Sequence, residues 1–343
     1  MRILVLGPIY PDSFARNIVA TLEEMGHQVA SVSPWRPSAR FPYGLRLLLE
    51  QAAQRSRIAG LERVLRRRVQ KFQPDVVLNA YAGLEPAVVA RLRQQTSAFL
   101  VAWFPDALAN LGRQYLLASP YHAFFFKDRH IMRFVEEKLG QPAFYLPEGC
   151  NPRWHRRIAV SESDHARYAC DITIACKMYY HRALLLESLA GYDFKIWGPS
   201  YPAWLTLPRH LRRAHQNHYV AEEEKAKAFN AAKIVLNTLH YAEIDGVNAR
   251  LFEIAGCGGF QISEHRDALC ELFEPEREIV TFRTRQELKE KVDYYLAHPA
   301  ERRAIADRAY ARAHRQHTYQ HRLQRLLSIV AGLGQTQSEP AHG

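Results

Sequence analysis

Short apolar runs of strand length alternate with amphipathic stretches of helix length along nearly the whole chain, and a parallel α/β sheet is what that alternation dictates. The first run, Arg2-Ile-Leu-Val-Leu6, ends at once in the turn residues Gly7-Pro-Ile-Tyr-Pro-Asp12. Strands are expected at 3–6, 28–32, 76–79, 99–102, 123–126 and 144–146, with the clearest helices at 14–25, 85–93 and 128–139. The polar, poorly periodic stretch 153–167 reads as a linker. A second set then follows, with strands expected at 171–175, 194–197, 215–220, 234–237, 259–262 and 278–281 and helices at 182–189, 222–231, 249–255 and 285–297. Two doubly wound, Rossmann-like domains result, residues 1–152 and 168–316, facing one another across a cleft. Helices at 299–315 and 319–330 close the chain; residues 317–331 form the terminal helix segment and 332–343 a frayed, disordered tail.

Composition excludes several classes. With 343 residues, 48% of them hydrophobic, the chain can bury two cores of ordinary domain size, which disfavours disorder. Five scattered cysteines without Cys-x-x-Cys spacing indicate neither a disulfide framework nor a zinc site, and no metal is expected. His317 and His321 have helical spacing but no acidic partner, and are expected on a helix surface. An opening strand in place of a leader, and no apolar run of membrane-span length, make a cytoplasmic location the expectation. The net charge of +11 is concentrated in residues 36–71, which carry ten Arg or Lys against two Glu, interleaved with apolar residues at helical spacing. That stretch is either the solvated outer face of a helix layer or a peripheral dock for an anionic acceptor or the inner membrane surface. Without interleaved aromatics or a recognised module, nucleic acid is an unfavoured partner.

The segment Asp245-Gly-Val-Asn-Ala-Arg-Leu-Phe-Glu253-Ile-Ala-Gly-Cys-Gly-Gly-Phe260 is the most telling chemically. Gly246 permits a turn, Asn248 is a good N-cap, and a short helix over 249–256 offers unpaired backbone N–H groups to an anion. Glu253, one turn in, can accept both hydroxyls of a ribose; the alternative is a helical pairing with Arg250. Neither Gly-x-Gly-x-x-Gly nor a P-loop signature is present, which disfavours a dinucleotide dehydrogenase and a P-loop nucleotide hydrolase.

The motifs Val247-Asn-Ala-Arg-Leu-Phe-Glu-Ile-Ala-Gly-Cys-Gly-Gly-Phe260, Phe273-Glu-Pro-Glu-Arg-Glu-Ile-Val280 and His317-Thr-Tyr-Gln-His-Arg322, with Tyr145-Leu-Pro147, Trp197-Gly198 and Ala232-Lys-Ile-Val-Leu-Asn237 upstream, resemble the CgeB-like spore-maturation glycosyltransferases. The resemblance covers most of the chain and is strongest over 233–322. It implies the GT-B fold, a nucleotide-sugar donor (a UDP-, GDP- or dTDP-sugar) held mainly by the second domain, a hydroxyl acceptor placed by the first, no required metal or other cofactor, and a last helix that crosses back to the first domain. It also sets Asp245 and Glu253 on the family's two acidic positions, Glu253 at the donor ribose and Asp245 toward the sugar or the departing phosphate.

Metal-free sugar transfer needs cations and helix N-termini around the leaving diphosphate. Arg250 with Asn248, and Lys177 with His181 and Arg182, are the candidate clamps. Trp197, Gly198 and Tyr201 are candidates to flank the base. Ala175 stands where the relatives have glycine, which adds a methyl near the phosphates and leaves open a non-catalytic homologue that binds nucleotide-sugar or a partner. For a general base, Asp106 after Trp103-Phe104 is the first choice, on the expectation that the aromatics desolvate it, and Asp12 the second.

Overall fold

The computed structural model describes residues 1–34, 54–108, 115–202 and 204–338. The chain divides into two compact units, Met1–Pro147 with Tyr319–Gly343, and Glu148–Thr318.

The first unit is built on a parallel sheet of order β2-β1-β3-β4-β5-β6. Its strands are β1 (Arg2–Leu6), β2 (Gln28–Val32), β3 (Val76–Asn79), β4 (Phe99–Phe104), β5 (Ala123–Phe126) and β6 (Ala143–Tyr145). Alternation along β1 assigns its two faces: Ile3 and Val5 pack into one core, Leu4 and Leu6 into the other. Ile3 and Val5 meet helix α1 (Phe14–Glu24), which Ser13 caps through a bond from the Arg16 N–H. Leu4 and Leu6 meet α2 (Gln54–Phe72) and α3 (Pro86–Gln95). Helix α4 (Arg129–Leu139) begins at Asp128, whose carboxylate takes the N–H groups of His130 and Ile131, and stops at Gly140 in the left-handed conformation.

In α2, Leu65 and Val69 are buried against this sheet while Arg63, Arg66, Arg67, Arg68 and Lys71 are exposed. The apolar stripe of the basic stretch is therefore, over this part, a core face. Residues 36–53 of that stretch lie outside the described residues.

The second unit is a parallel sheet of order β11-β10-β9-β7-β8, from β7 (Cys170–Ala175), β8 (Phe194–Trp197), β9 (Ala232–Asn237), β10 (Gln261–Glu264) and β11 (Val280–Phe282). Its helices are α5 (Glu162–Tyr168), α6 (Tyr180–Leu186), α7 (Arg209–Ala214), α8 (Glu222–Ala231), α9 (Arg250–Cys257), α10 (Asp267–Leu272), α11 (Arg285–Ala297) and α12 (Pro299–Gln316). Three expectations change here. Residues 153–167 belong to this unit, and most of α5 falls inside the expected linker, started by a Ser161/Asp164 capping box. The strand expected at 215–220 is absent: His215 makes one isolated bridge to Ile196, and Asn217, with φ of 52°, turns the chain away. The short helices α7 and α10 were not foreseen.

Helix α13 (Tyr319–Ser338) follows the second unit in sequence but belongs to the first. Tyr319, Leu323, Leu326 and Val330 form a helical stripe packed in the same core as Ile3 and Val5, so the returning helix that the resemblance implies is present. It continues through residues expected to be a frayed tail, as far as Ser338.

Replacing Leu326, fully buried in that stripe, by Ala is expected to lower stability by about 2–5 kcal/mol, whereas Arg66→Ala on the exposed face of α2 should stay within about 0.5 kcal/mol. Denaturant unfolding of the two variants checks this; equal losses would contradict the placement of the last helix.

Candidate functional site

In a parallel sheet of this kind ligands bind beyond the carboxyl ends of the strands where the strand order reverses. In the second unit that point lies between β7 and β9, neighbours in space but not in sequence. The loops after these two strands carry Lys177 to Arg182 and Thr238 to Arg250.

Thr238 joins them. Arg182 donates from Nε to Thr238 Oγ1 at 2.6 Å and from a terminal nitrogen to the Lys177 carbonyl, with its guanidinium 5.3 Å from the Tyr179 ring centre. Arg250 donates to the Thr238 carbonyl and the Ala175 carbonyl, each at 3.0 Å, and to Asn237 Oδ1 at 3.3 Å. Arg182 is 2% exposed and Arg250 half-buried, and among the described residues neither makes a direct ion pair with a carboxylate. Burial first, and then the charge of Arg182, hold the Arg250 pKa below its ordinary value. Glu253 and Glu243 act on Arg250 only from a distance, and two enclosed cations on one threonine without a carboxylate in direct contact favour a ligand that brings negative charge.

Asn248 reinforces the arrangement. Its Oδ1 accepts from the Leu251 N–H at 3.3 Å and its Nδ2 donates to the Thr238 carbonyl at 3.1 Å, so it caps α9 as expected and ties the helix start to the end of β9. Gly258, at φ of 75°, ends the helix in the left-handed conformation.

Glu253 does not pair with Arg250. Its carboxylate, 7% exposed, meets Lys225 Nζ of α8 at 2.8 Å and lies 4.0 Å from His155 Nε2. Lys225 and His155 are buried residues that the sequence reading missed. Lys225 was recognisable: it shares the apolar face of α8 with Phe229 one turn on, and a lysine at a core position requires a buried partner.

Other expected residues stand differently. Lys177 is exposed and contributes its carbonyl to Arg182. Trp197, 2% exposed, packs against Tyr168 and His218 with ring centres at 5.3 and 6.3 Å; it is a core residue and has no face open for a base. Gly198 has a backbone role, since a Cβ there would lie 2.1 Å from the Cys176 carbonyl oxygen, where β7 and β8 cross closely. Tyr201 is half-buried against His215, at 5.0 Å. Asp245 is half-buried in the loop ahead of α9.

The two general-base candidates belong to the first unit. Asp106 is exposed and accepts the Ala107 N–H at 3.0 Å, so the aromatics before it do not enclose it: Trp103 is fully buried and Phe104 packs into the opposite core. Asp12 is buried in the loop after β1, with φ of 65°, where the strand order of that sheet reverses between β1 and β3. The geometry ranks Asp12 above Asp106, which follows β4.

An aromatic cluster borders the Arg182 loop. His181 stacks on Tyr179 and meets His240 edge-on, while the exposed Tyr241 ring lies on His240 at 4.4 Å. Burial, then the charges of Arg182 and His240, push the His181 pKa down from 6.5 to about 4. The unfolded chain therefore takes up a proton near pH 6.5 that the folded chain refuses until about pH 4. Stability from neutral His181 is complete above pH 6.5 and is lost as pH falls toward 4. His181→Asn is expected to flatten the fall of the melting temperature across that window; an unchanged slope would remove His181 from the account.

Residues 181–328 match the family model described as glycosyl transferase-like. The chain is 24% identical over 260 residues to the spore protein CgeB of Bacillus subtilis (strain 168), covering 71% of this chain and 78% of that one. Among solved structures it is similar to sucrose-phosphate synthase from Thermosynechococcus elongatus, with a TM-score of 0.73 at 12% identity over 98% of this chain and 100% of the other. HepE from Anabaena, solved with UDP-glucose, gives a TM-score of 0.66 at 13% identity over 97% and 100% of the two chains. OtsA gives 0.68 at 14% identity over 96% and 99%. The fold is that of the GT-B glycosyltransferases, the likeness to CgeB is found in the sequence, and the segment holding Arg182, Lys225, Arg250 and Glu253 matches the glycosyl transferase-like family model.

Proposed function

We propose that this protein moves a sugar from a nucleoside diphosphate donor to a hydroxyl acceptor, without a resident metal. The observation that carries the reading is the pair of enclosed guanidiniums on Thr238, beside the start of α9, which among the described residues have no carboxylate in direct ion-pair contact. A diphosphate supplies the missing charge. As the bond to the sugar breaks, negative charge grows on the departing phosphate, and Arg182 and Arg250, held in place around Thr238, are assigned to stabilise it.

Glu253, one turn further along α9, is assigned to the donor ribose, and Asp245 to the sugar side of the diphosphate. Asp12 is assigned to the acceptor. The complex of HepE with UDP-glucose makes UDP-glucose the first donor to test, ahead of GDP- and dTDP-sugars. Among the described residues no helix is long and apolar enough to cross a membrane. We assign the exposed Arg66, Arg67 and Arg68 to an anionic surface that presents the acceptor, on the cytoplasmic side of the membrane.

Release of free nucleoside diphosphate from the donor panel tests transfer. UDP should raise the melting temperature of the parent protein, and Arg182→Met, which removes one enclosed cation, should weaken UDP binding by at least about tenfold in calorimetry. Undiminished affinity in a folded Arg182→Met protein would overturn the diphosphate assignment. Stabilisation by nucleotide with no release from any donor would leave a binding module. The triple change Arg66→Glu, Arg67→Glu and Arg68→Glu should reduce co-sedimentation with vesicles containing anionic lipid, and a parent protein that stays in the supernatant would dismiss that surface.

A further inference from the structure

We infer that Lys225 is a positioning residue for nucleotide recognition: through Glu253 it sets the preference for a ribose over a 2′-deoxyribose. The inference rests on the reading of Glu253 as the ribose acceptor.

Lys225 and Glu253 bring opposite charges together out of solvent at 2.8 Å, each side chain 7% exposed, from the adjacent helices α8 and α9. Around them Ala226 and Phe229 of α8 pack on Ile254 and Cys257 of α9, so the two helices are held by apolar contact independently of the ion pair. An ion pair in such a place adds little net stability over an apolar pair of similar volume. What it does add is a carboxylate fixed in one direction.

The second oxygen is bracketed as well. The Asn151 N–H donates to His155 Nδ1 at 2.9 Å, which leaves the proton of a neutral His155 on Nε2, the nitrogen 4.0 Å from Glu253 Oε1. Lys225 holds Oε2 and the imidazole faces Oε1. Of the carboxylate's four lone-pair directions, at least two remain for a ligand. An ionised carboxylate accepts from both vicinal hydroxyls of a ribose, whereas a carboxyl group has given one oxygen over to its own proton. Without Lys225 the Glu253 carboxylate would lose the contact that fixes its direction and swing to another partner, and the vicinal hydroxyls would lose their common acceptor.

The experiment measures UDP against 2′-deoxyuridine diphosphate, and GDP against its 2′-deoxy counterpart, by calorimetry. The parent protein is expected to favour the ribonucleotide by about tenfold or more, the worth of a hydrogen bond to a charged group. In Lys225→Met that ratio should fall to about 1, through loss of ribonucleotide affinity, with deoxynucleotide affinity kept within about threefold. Lys225→Gln, which still donates to the carboxylate, should give an intermediate ratio, and thermal melting reports whether each variant is folded. A purely structural lysine would lower the melting temperature and leave the ratio intact, and that result in either variant would overturn the inference; failure of both variants to fold would do the same by marking the pair as structural. A parent protein with no ribose preference, or one that binds dTDP best, would instead overturn the Glu253 assignment itself, which separates the two failures.

Discussion

Arg182 and Arg250 converge on Thr238, and the rest of the second unit is arranged so that they can. Each guanidinium is held by protein oxygens: a hydroxyl and a carbonyl for Arg182, two carbonyls and an amide oxygen for Arg250. Those acceptors are neutral dipoles that fix direction without cancelling charge. A carboxylate in the same place would have made the pair more stable on its own and less useful to an anion. Leaving two like charges close together and partly dehydrated is affordable only in a rigid frame, because a flexible one would let them swing apart into water.

The frame comes from topology. Since β9 lies beside β7 and not beside β8, the loop after β7 and the loop after β9 leave the sheet as neighbours, and residues far apart in sequence meet at one threonine. On the other side of β7 the packing is as close: a methyl group at Gly198, after β8, would collide with the Cys176 carbonyl. The first unit follows the same rule with different chemistry: its strand order also reverses, between β1 and β3, and there it offers the buried carboxylate Asp12 in place of cations.

Much of this was legible before the structure, for physical reasons that differ by residue. Strands such as β1 and β9 were visible because both faces of a parallel sheet are buried, leaving near-continuous apolar runs. Asn248 at the start of α9 was visible because holding a free N–H of the first turn needs a particular side chain. Residues 215–220 misled because the segment has strand length and ends in the strand-favouring pair Tyr219-Val220, yet only His215 meets a neighbouring strand, and local preference does not report pairing. Trp197 and Asp106 misled for a shared reason: adjacency in sequence was taken as adjacency in space. The strand carries Trp197 into the core, and successive residues of β4 send Trp103 and Phe104 to opposite faces, so neither shelters Asp106. Lys225 was missed because a run of three glutamates before it looks like a solvated helix end, although Phe229 four residues later marks its face as buried.

Under the proposed function, helix α9 would carry the spacing between the two halves of the ligand. Arg250 and Glu253 are three residues apart, which on a helix is about 4.5 Å of rise and nearly one full turn, so both side chains leave from the same face. A nucleotide's ribose hydroxyls and its phosphates are likewise separated by a short, fairly stiff stretch of covalent structure. A rigid helix is suited to measure such a distance, because neither end can adjust without moving the other. Each end is then anchored from a different neighbour: Arg250 by the carbonyls at the ends of β7 and β9, and Glu253 by Lys225 from α8. A flexible loop bearing the same two residues would hold each contact as well on its own, but would have to lose conformational freedom before holding both at once.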